Sequence, residues 1–262
     1  MNRIFLTTTP KNYSHSIESG LANNTTHFDH HKDEHKKYPS PCNNPHIKTI
    51  SGFDIAISHI DADTLLGLAR MCGIGLHSAL DFNTIEKVDL NGSSILDDAL
   101  TNINYHYMVG VSSIARELNF PRISKEEDIE VTDIIYKMLK LPLLTFLQKG
   151  ADTINKSEKD YKDCSLTNTD HCLLISCDAD DAINPSRGYE DGYDIIVVYR
   201  KHYKTVSLYA APNSPYTLQG EHAGITFTGH DKACGSPRGE DMTLEDACRV
   251  FNTVCKITDT EV

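Results

Sequence analysis

The sequence predicts an α/β fold in which a doubly wound parallel sheet is followed by a second, smaller mixed α/β domain. Three observations carry this. Short apolar segments of strand composition occupy Arg3–Thr8 and Phe53–Ser58, a helix-length segment follows the second of them directly, and beyond residue 160 the texture changes to closely spaced strands and glycine-rich turns. With 262 residues the chain has room for two cores, and we expect domains over 1–160 and 161–262.

Taken in order, Arg3–Thr8 reads as an opening strand. Residues 10–45 are polar, rich in Asn, His, Ser and Pro, and read as a long loop, which a domain keeps for a task such as lining an active site. Phe53–Ser58 is a strand and Thr64–Met71 a helix ended by Cys72-Gly73. Thr84–Leu90 reads as a strand ending at Asp89 before the Asn91-Gly92-Ser93 turn. Helices are expected over Ser94–Asn104, Tyr107–Leu118 and Glu126–Leu147, the last interrupted by Pro142. Lys149–Thr169 is polar and reads as a linker. Strands follow at His171–Cys177, Asp194–Tyr199 and Thr205–Ala210, the last two as a hairpin. Turn chemistry then runs from Gly220 to Gly239, and Leu244–Val254 closes the chain as an amphipathic helix.

Composition bounds the function. At 39% hydrophobic and 24% charged the chain has the make-up of an ordinary soluble globule. It contains no apolar run near the ~18 residues of a membrane helix. Arg3–Leu6 is too short for a secretory segment, so a cytoplasmic protein is expected. The eight cysteines include no CxxC pair and read as reduced, buried small residues. A net charge of -12 argues against wrapping a long nucleic-acid duplex, whose binding rests on neutralised phosphates. Cations held by some of the carboxylates would cancel part of that charge, so a small phosphorylated ligand stays compatible with it. The sequence leaves a homo-oligomer open.

Two compact clusters carry the chemistry: His27-Phe28-Asp29-His30-His31 and His59-Ile60-Asp61-Ala62-Asp63. Carboxylates bridge hard divalent cations and imidazoles fix their geometry, so the two clusters together suit a pair of ions. The second lies where a strand meets a helix, the edge at which open parallel sheets bind ligands. There the competing reading makes Asp63 a helix N-cap and Asp61 a turn residue. In the first, Asp33, Glu34 and His35 compete with Asp29 and His30 as ligands, and His31 is free to face substrate. Asp89 is a candidate bridging carboxylate with Asp81 as its rival, and Asp178, Asp180 and Asp181 form a further acidic group that reads as a turn. Near the end of the chain, His222 between glycines and Arg238 are candidates to hold phosphate oxygens.

In these motifs the chain resembles the DHH phosphoesterase superfamily, which includes single-strand exonucleases, oligoribonucleases, cyclic-dinucleotide phosphodiesterases and manganese pyrophosphatases. Asp29-His30-His31 is similar to the naming triplet and His59-Ile60-Asp61-Ala62-Asp63 to the first metal motif. Residues 194–239 resemble the associated carboxyl-terminal domain, with Gly-Glu-His-Ala-Gly for the usual Gly-Gly-His segment. The order of the two metal motifs is inverted relative to the family, as a circular permutation would make it. The resemblance implies metal ligation by Asp29, His30, His59, Asp61 and Asp63, with Asp89 as bridge, and His31 and His222 near the scissile phosphate.

The expectation is a metal-dependent phosphoesterase using two Mn²⁺ or Mg²⁺ ions on a short oligonucleotide or a cyclic or linear dinucleotide, with His222 and Arg238 binding substrate. The rival is a noncatalytic nucleotide-sequestering protein, and a third reading is a zinc hydrolase acting on an amide.

Overall fold

Strands β1 (Arg3–Leu6), β2 (His15–Ile17), β3 (His27–Phe28) and β4 (Asp54–Ile57) run parallel in the order β3-β2-β4-β1. Their carboxyl ends therefore share one edge of the sheet. The structure is a computed structural model that describes residues 1–31, 34–35, 37–96, 98–121, 123, 128–178 and 183–259. The chain divides into two units, 1–89 with 98–152 and 90–97 with 153–262. The α/β class with two sheets is as expected.

In the first unit, Ile4, Leu6, Ile17, Phe28, Ile55 and Ile57 are buried and make the sheet's contribution to the core. Helix α1 (Ala62–Met71) follows β4 and buries every residue but Arg70, so it is the central helix of the unit. Then come α2 (Phe82–Asn91) and α3 (Ile103–Glu117), β5 (Ile129–Glu130) antiparallel to β1, α4 (Thr132–Leu139) and α5 (Leu143–Cys164). Helices α3 and α5 touch backbone to backbone. A Cβ on Gly110 would lie 2.1 Å from the Phe146 carbonyl oxygen, and one on Gly150 would lie 1.9 Å from that of His106. Only glycine fits at either crossing point.

Several expected elements are corrected. Thr84–Leu90 is helical, within α2: Ile85 and Val88, three residues apart, are the buried pair, which is helical rather than strand spacing. Ser94–Asn104 is not a helix but a 3₁₀ turn at Ser93–Ile95 leading to α3, whose cap Asn102 accepts from the Asn104 N–H at 3.0 Å. Glu126–Leu147 splits into β5, α4 and the start of α5, with Pro142 just before the first turn of α5, where proline is tolerated. The expected linker is the greater part of the 22-residue α5, followed by β6 (Ser165–Asn168). Its buried stripe, Phe146, Gly150, Ile154, Ser157 and Tyr161, includes two small residues and so carries little apolar signal. The expected loop over 10–45 contains β2 and β3, which are too short to display alternation.

The second unit is a seven-stranded sheet in the order β10-β11-β12-β9-β8-β7-β6. After β6 come β7 (Cys172–Cys177), α6 (Pro185–Glu190), β8 (Ile195–Arg200), β9 (Thr205–Ala210), β10 (Gly220–His222), β11 (Ile225–His230), β12 (Ala233–Gly235) and α7 (Leu244–Asp259). Strands β7 and β8 are parallel and the other pairs antiparallel. The β8–β9 hairpin and the closing helix are as expected. The expected glycine-rich turn is itself a hairpin, β10–β11, closed by Ala223 and Gly224 at φ 55° and 79°. Val250, Phe251 and Val254 of α7 join Leu174, Val197 and Leu208 in its core. The eight cysteines are thiols rather than disulfides. Among the described residues no helix is long and apolar enough to cross a membrane.

Candidate metal centre

Each of the neighbouring strands β2, β3 and β4 delivers a polar residue at its carboxyl end. Ile17 pairs with Phe28 and with Ile57, so the next residues, Glu18, Asp29 and Ser58, leave the sheet at one level. Because β4 lies beside β2, two away from β3, the inverted order of the motifs does not keep them apart. The His31 and His59 rings lie 5.8 Å apart, and His30 Nε2 is 3.8 Å from Asp63 Oδ2.

The loop after β4 is built by Asp61. It caps α1, accepting the Thr64 N–H on Oδ1 at 2.8 Å, while Oδ2 lies 2.7 Å from His59 Nε2. The other His59 ring nitrogen is 3.0 Å from Ser58 Oγ, which donates to the Glu18 carbonyl. Asp63 lies in the first turn of the helix, 2% exposed, with Oδ1 accepting the Cys42 N–H at 2.6 Å.

Glu18 is the residue the sequence expectations lack. It is 2% exposed, and its backbone sits at φ 50°, a left-handed conformation that a glutamate adopts at a cost and that marks functional sites. Among the described residues, both of its carboxylate oxygens, and Asp63 Oδ2, are buried with no backbone, hydroxyl or amide donor. Imidazoles surround them instead. His31 Nδ1 contacts Glu18 Oε2, and His30 Nε2 lies 4.0 Å from Glu18 Oε1 and 3.2 Å from Asp89 Oδ2. Asp89 reaches the cluster from the last turn of α2 rather than from a strand end.

Potential ligand atoms gather in three overlapping groups, each within 4.8 Å: Glu18, His31 and His59; Glu18, His30 and Asp63; and His30, His31 and Asp89. Glu18 belongs to two of them. Asp29 belongs to none, because its carboxylate is engaged by the backbone N–H groups of Gly20 and His31. Asp29 therefore shapes the loop that presents the two histidines.

The electrostatics are those of crowded carboxylates. Burial works against a charged His30, yet Asp89, Glu18 and Asp63 outweigh it and raise its pKa to about 9. His31 is likewise raised well above its usual value despite burial, chiefly by Glu18 and Asp29. Burial and the neighbouring Glu18 push the Asp63 carboxyl well above the carboxylate range. Asp61 moves the other way, to about 2, because His59 overcomes its burial. Asp29 is also lowered, burial being outweighed by His31 and the two backbone donors.

The remaining expected residues lie elsewhere. Asp81 is exposed before α2, where it accepts from Asn83 N–H and Thr84 Oγ1. Glu34 is exposed and His35 is buried, with Nδ1 3.8 Å from Asp29 Oδ1. Asp178 is exposed 3.7 Å from Lys201 Nζ; Asp33, Asp180 and Asp181 lie outside the described residues. In the second unit His222 is not on an open loop. It is buried in β10, its Nε2 donates to the Leu218 carbonyl at 2.7 Å, and its ring packs 5.8 Å from Phe227. That placement engages one ring nitrogen with the protein's own backbone. Arg238 is exposed in the turn after β12.

No family model and no curated protein matches this chain. Among solved structures, a pGpG-specific phosphodiesterase, PggH, from Vibrio cholerae is similar with a TM-score of 0.39 and 9% identity over 70% of each chain. An exopolyphosphatase-related protein from Bacteroides fragilis gives 0.31 and 13%, over 84% of this chain and 66% of that one. An uncharacterized protein from Helicobacter pylori G27 gives 0.25 and 14%, over 65% and 52%. Likenesses at this level carry no argument about activity, and the site is read from its own residues.

Proposed function

We propose that this chain is a divalent-cation-dependent phosphoesterase with a two-ion centre at the carboxyl edge of its first sheet. One observation carries the reading: buried Glu18 and Asp63 present carboxylate oxygens that, among the described residues, no backbone, hydroxyl or amide donor satisfies, ringed by His30, His31, His59 and Asp89. Native proteins rarely leave buried carboxylates so exposed to one another, and a cation is the natural partner for them. Glu18, shared between two donor groups, would be the bridging carboxylate, the part expected of Asp89. His30 and Asp63 share one donor group with it and His31 and His59 the other, Asp89 lies beside His30, and Asp61 reaches the cluster through His59.

When bound there, divalent cations supply water activation at neutral pH and neutralise charge on a phosphoryl group. Three imidazoles among the carboxylates suit Mn²⁺ better than Mg²⁺, which prefers all-oxygen surroundings. The chain's own residues do the rest. Asp29 fixes the His30–His31 loop through two backbone N–H groups, and Asp61 orients His59 while capping α1. The His31 side chain, 23% exposed against 2% for His30, is placed to meet substrate and to hold or pass a proton at its ring. A small phosphorylated substrate, such as a short oligonucleotide or dinucleotide, fits a chain of net charge -12 better than a long duplex does. Arg238 remains a candidate for its nonreacting phosphate.

The test is cation uptake by chelator-stripped protein, followed by hydrolysis of pGpG, cyclic dinucleotides, short oligonucleotides and polyphosphate with Mn²⁺. Uptake and turnover that both vanish in Glu18→Gln support the reading. Ligand binding without Mn²⁺-dependent turnover favours a sequestering protein, and one tightly held Zn²⁺ favours the amide hydrolase.

A further inference from the structure

Residues 39–44, a proline-flanked segment within the expected loop, run between α1 and α2 and are clamped from both sides. On the α2 side, Glu86 accepts the Ser40 N–H on Oε1 and Asn43 Nδ2 on Oε2, both at 2.9 Å. Asn43 Nδ2 also reaches Asn83 Oδ1 at 2.7 Å. On the α1 side, Arg70 Nη1 donates to the Asn44 and Cys42 carbonyls at 2.8 and 3.2 Å. Ser40 and Cys42 are fully buried, and Gly67 of α1 lets Pro41 approach so closely that a Cβ there would stand 2.8 Å from the proline Cβ.

The middle of this strap ends on the metal centre. The Cys42 N–H donates to Asp63 Oδ1, which leaves Oδ2 as the oxygen turned toward His30. Glu86 lies one helical turn before Asp89, so the helix that anchors the strap also carries a ligand. We propose that the strap is a positioning device: Glu86 and Arg70 hold the Cys42 amide in place, and that amide fixes the rotamer of Asp63 and ties α1 to α2 so that Asp63 and Asp89 face His30 together. Glu86, Asn43 and Arg70 are positioning residues, acting on the cations only through the placement of Asp63 and Asp89. This rests on the two-ion reading above. Supporting partners of this kind set affinity because a ligand held in one rotamer loses less freedom on binding; their loss typically weakens metal binding ~10–100-fold.

The experiment measures Mn²⁺ affinity from the free-ion EPR signal on full-length, chelator-stripped protein, with thermal unfolding of the metal-free form alongside. Glu86→Gln turns an amide donor onto Asn43 and is expected to weaken Mn²⁺ binding about tenfold or more. Asn43→Ala loosens the strap with no change of charge and is expected to weaken it several-fold. Glu86→Gln with Asn43→Asp restores one donor and one acceptor at unchanged net charge and is expected to return affinity to within about threefold of the parent. Loss in Glu86→Gln with none in Asn43→Ala assigns the effect to bare charge and overturns the proposal. A lowered melting temperature at unchanged affinity makes the strap mere scaffold and overturns it too. A parent protein that takes up no cation overturns instead the two-ion reading from which the proposal starts.

Discussion

The two sheets end their strands differently. In the second unit β7 and β8 are buried along nearly their whole length, their side chains mostly apolar on both faces, and the buried His222 of β10 is satisfied by a carbonyl. In the first unit β2, β3 and β4 are shorter, and each passes straight from a buried apolar residue to a charged or polar one. Ile17 gives way to Glu18, Phe28 to Asp29, and Ile57 to Ser58 and His59. Gathering buried Glu18 and Asp63 and partly buried Asp89 around one imidazole opposes folding in the absence of a cation, whereas among its described residues the second unit gathers no such carboxylate cluster of its own. Stability and function are thus separated: one sheet is built for packing, the other carries stored repulsion at one edge.

The sharpest way to break this contrast is to remove the repulsion. Asp63→Asn keeps the oxygen that accepts the Cys42 N–H but deletes a charge whose pKa is raised by burial and by Glu18. A raised carboxyl subtracts stability at every pH above its unfolded value, so the substitution is expected to stabilise the metal-free protein by about 1 kcal/mol or more. It should also lower Mn²⁺ affinity by more than about 100-fold, beyond the loss seen for supporting partners. Calorimetry with Mn²⁺ and thermal unfolding in chelator read the two effects. A variant that is less stable without metal would show that Asp63 is paired by the protein itself.

How much of this was legible follows from how far each signal extends along the chain. The His59–Asp63 motif stood between a four-residue apolar strand and a ten-residue apolar helix, so both its location and its chemistry could be read. Glu18 could not. Its strand is three residues long, it lies in Ser-Ile-Glu-Ser-Gly within a polar stretch, and only the buried Ile17 before it and Gly20 after it hint at a strand end. Asp89 was identified with the wrong scaffold, because Thr84, Ile85 and Val88 are β-branched while the burial of Ile85 and Val88 follows a helix. His222 was placed by composition, where glycine on either side suggests a loop; a buried hairpin with Gly224 in its turn uses the same residues.

The pH dependence sharpens the comparison next. His30 is raised from 6.5 to about 9, so its contribution to metal-free stability is complete below pH 6.5 and is lost as pH rises through 9, on the order of 3 kcal/mol. Cation binding requires the deprotonated ring, so the stabilisation by Mn²⁺ must grow over the same interval. Melting curves collected from pH 6 to 9 in chelator and in Mn²⁺ are expected to diverge steadily. Parallel curves would mean that His30 does not titrate against the carboxylates around it.

In the second unit the expected effect is smaller and of the opposite kind. His222→Ala removes a buried ring beside Phe227 and one donor to the Leu218 carbonyl, which keeps a weaker contact from Cys234 Sγ at 3.2 Å. A loss of about 2 kcal/mol is expected from the cavity and the weakened hydrogen bonding, at unchanged Mn²⁺ affinity. Reduced affinity in the folded variant would return His222 to the site.

The smallest stability effect separates two duties of a single side chain. Asp61 caps α1 through Oδ1 and meets His59 through Oδ2. Asn is as good an N-cap as Asp, so Asp61→Asn is expected to keep the cap and lose only the stabilising charge contact with His59 in chelator, while Mn²⁺ affinity falls. Asp61→Ala loses the cap as well, at about 1 kcal/mol. If Asp61 were only a cap, the asparagine variant would bind Mn²⁺ like the parent and the alanine variant would differ in stability alone. Titrating both variants therefore distinguishes an aspartate that begins a helix from one that also serves the cations. The same measurement decides whether the strand-to-helix junction after β4 is plain capping, as Asn184 provides for α6 in the second unit, or part of the strained edge of the first.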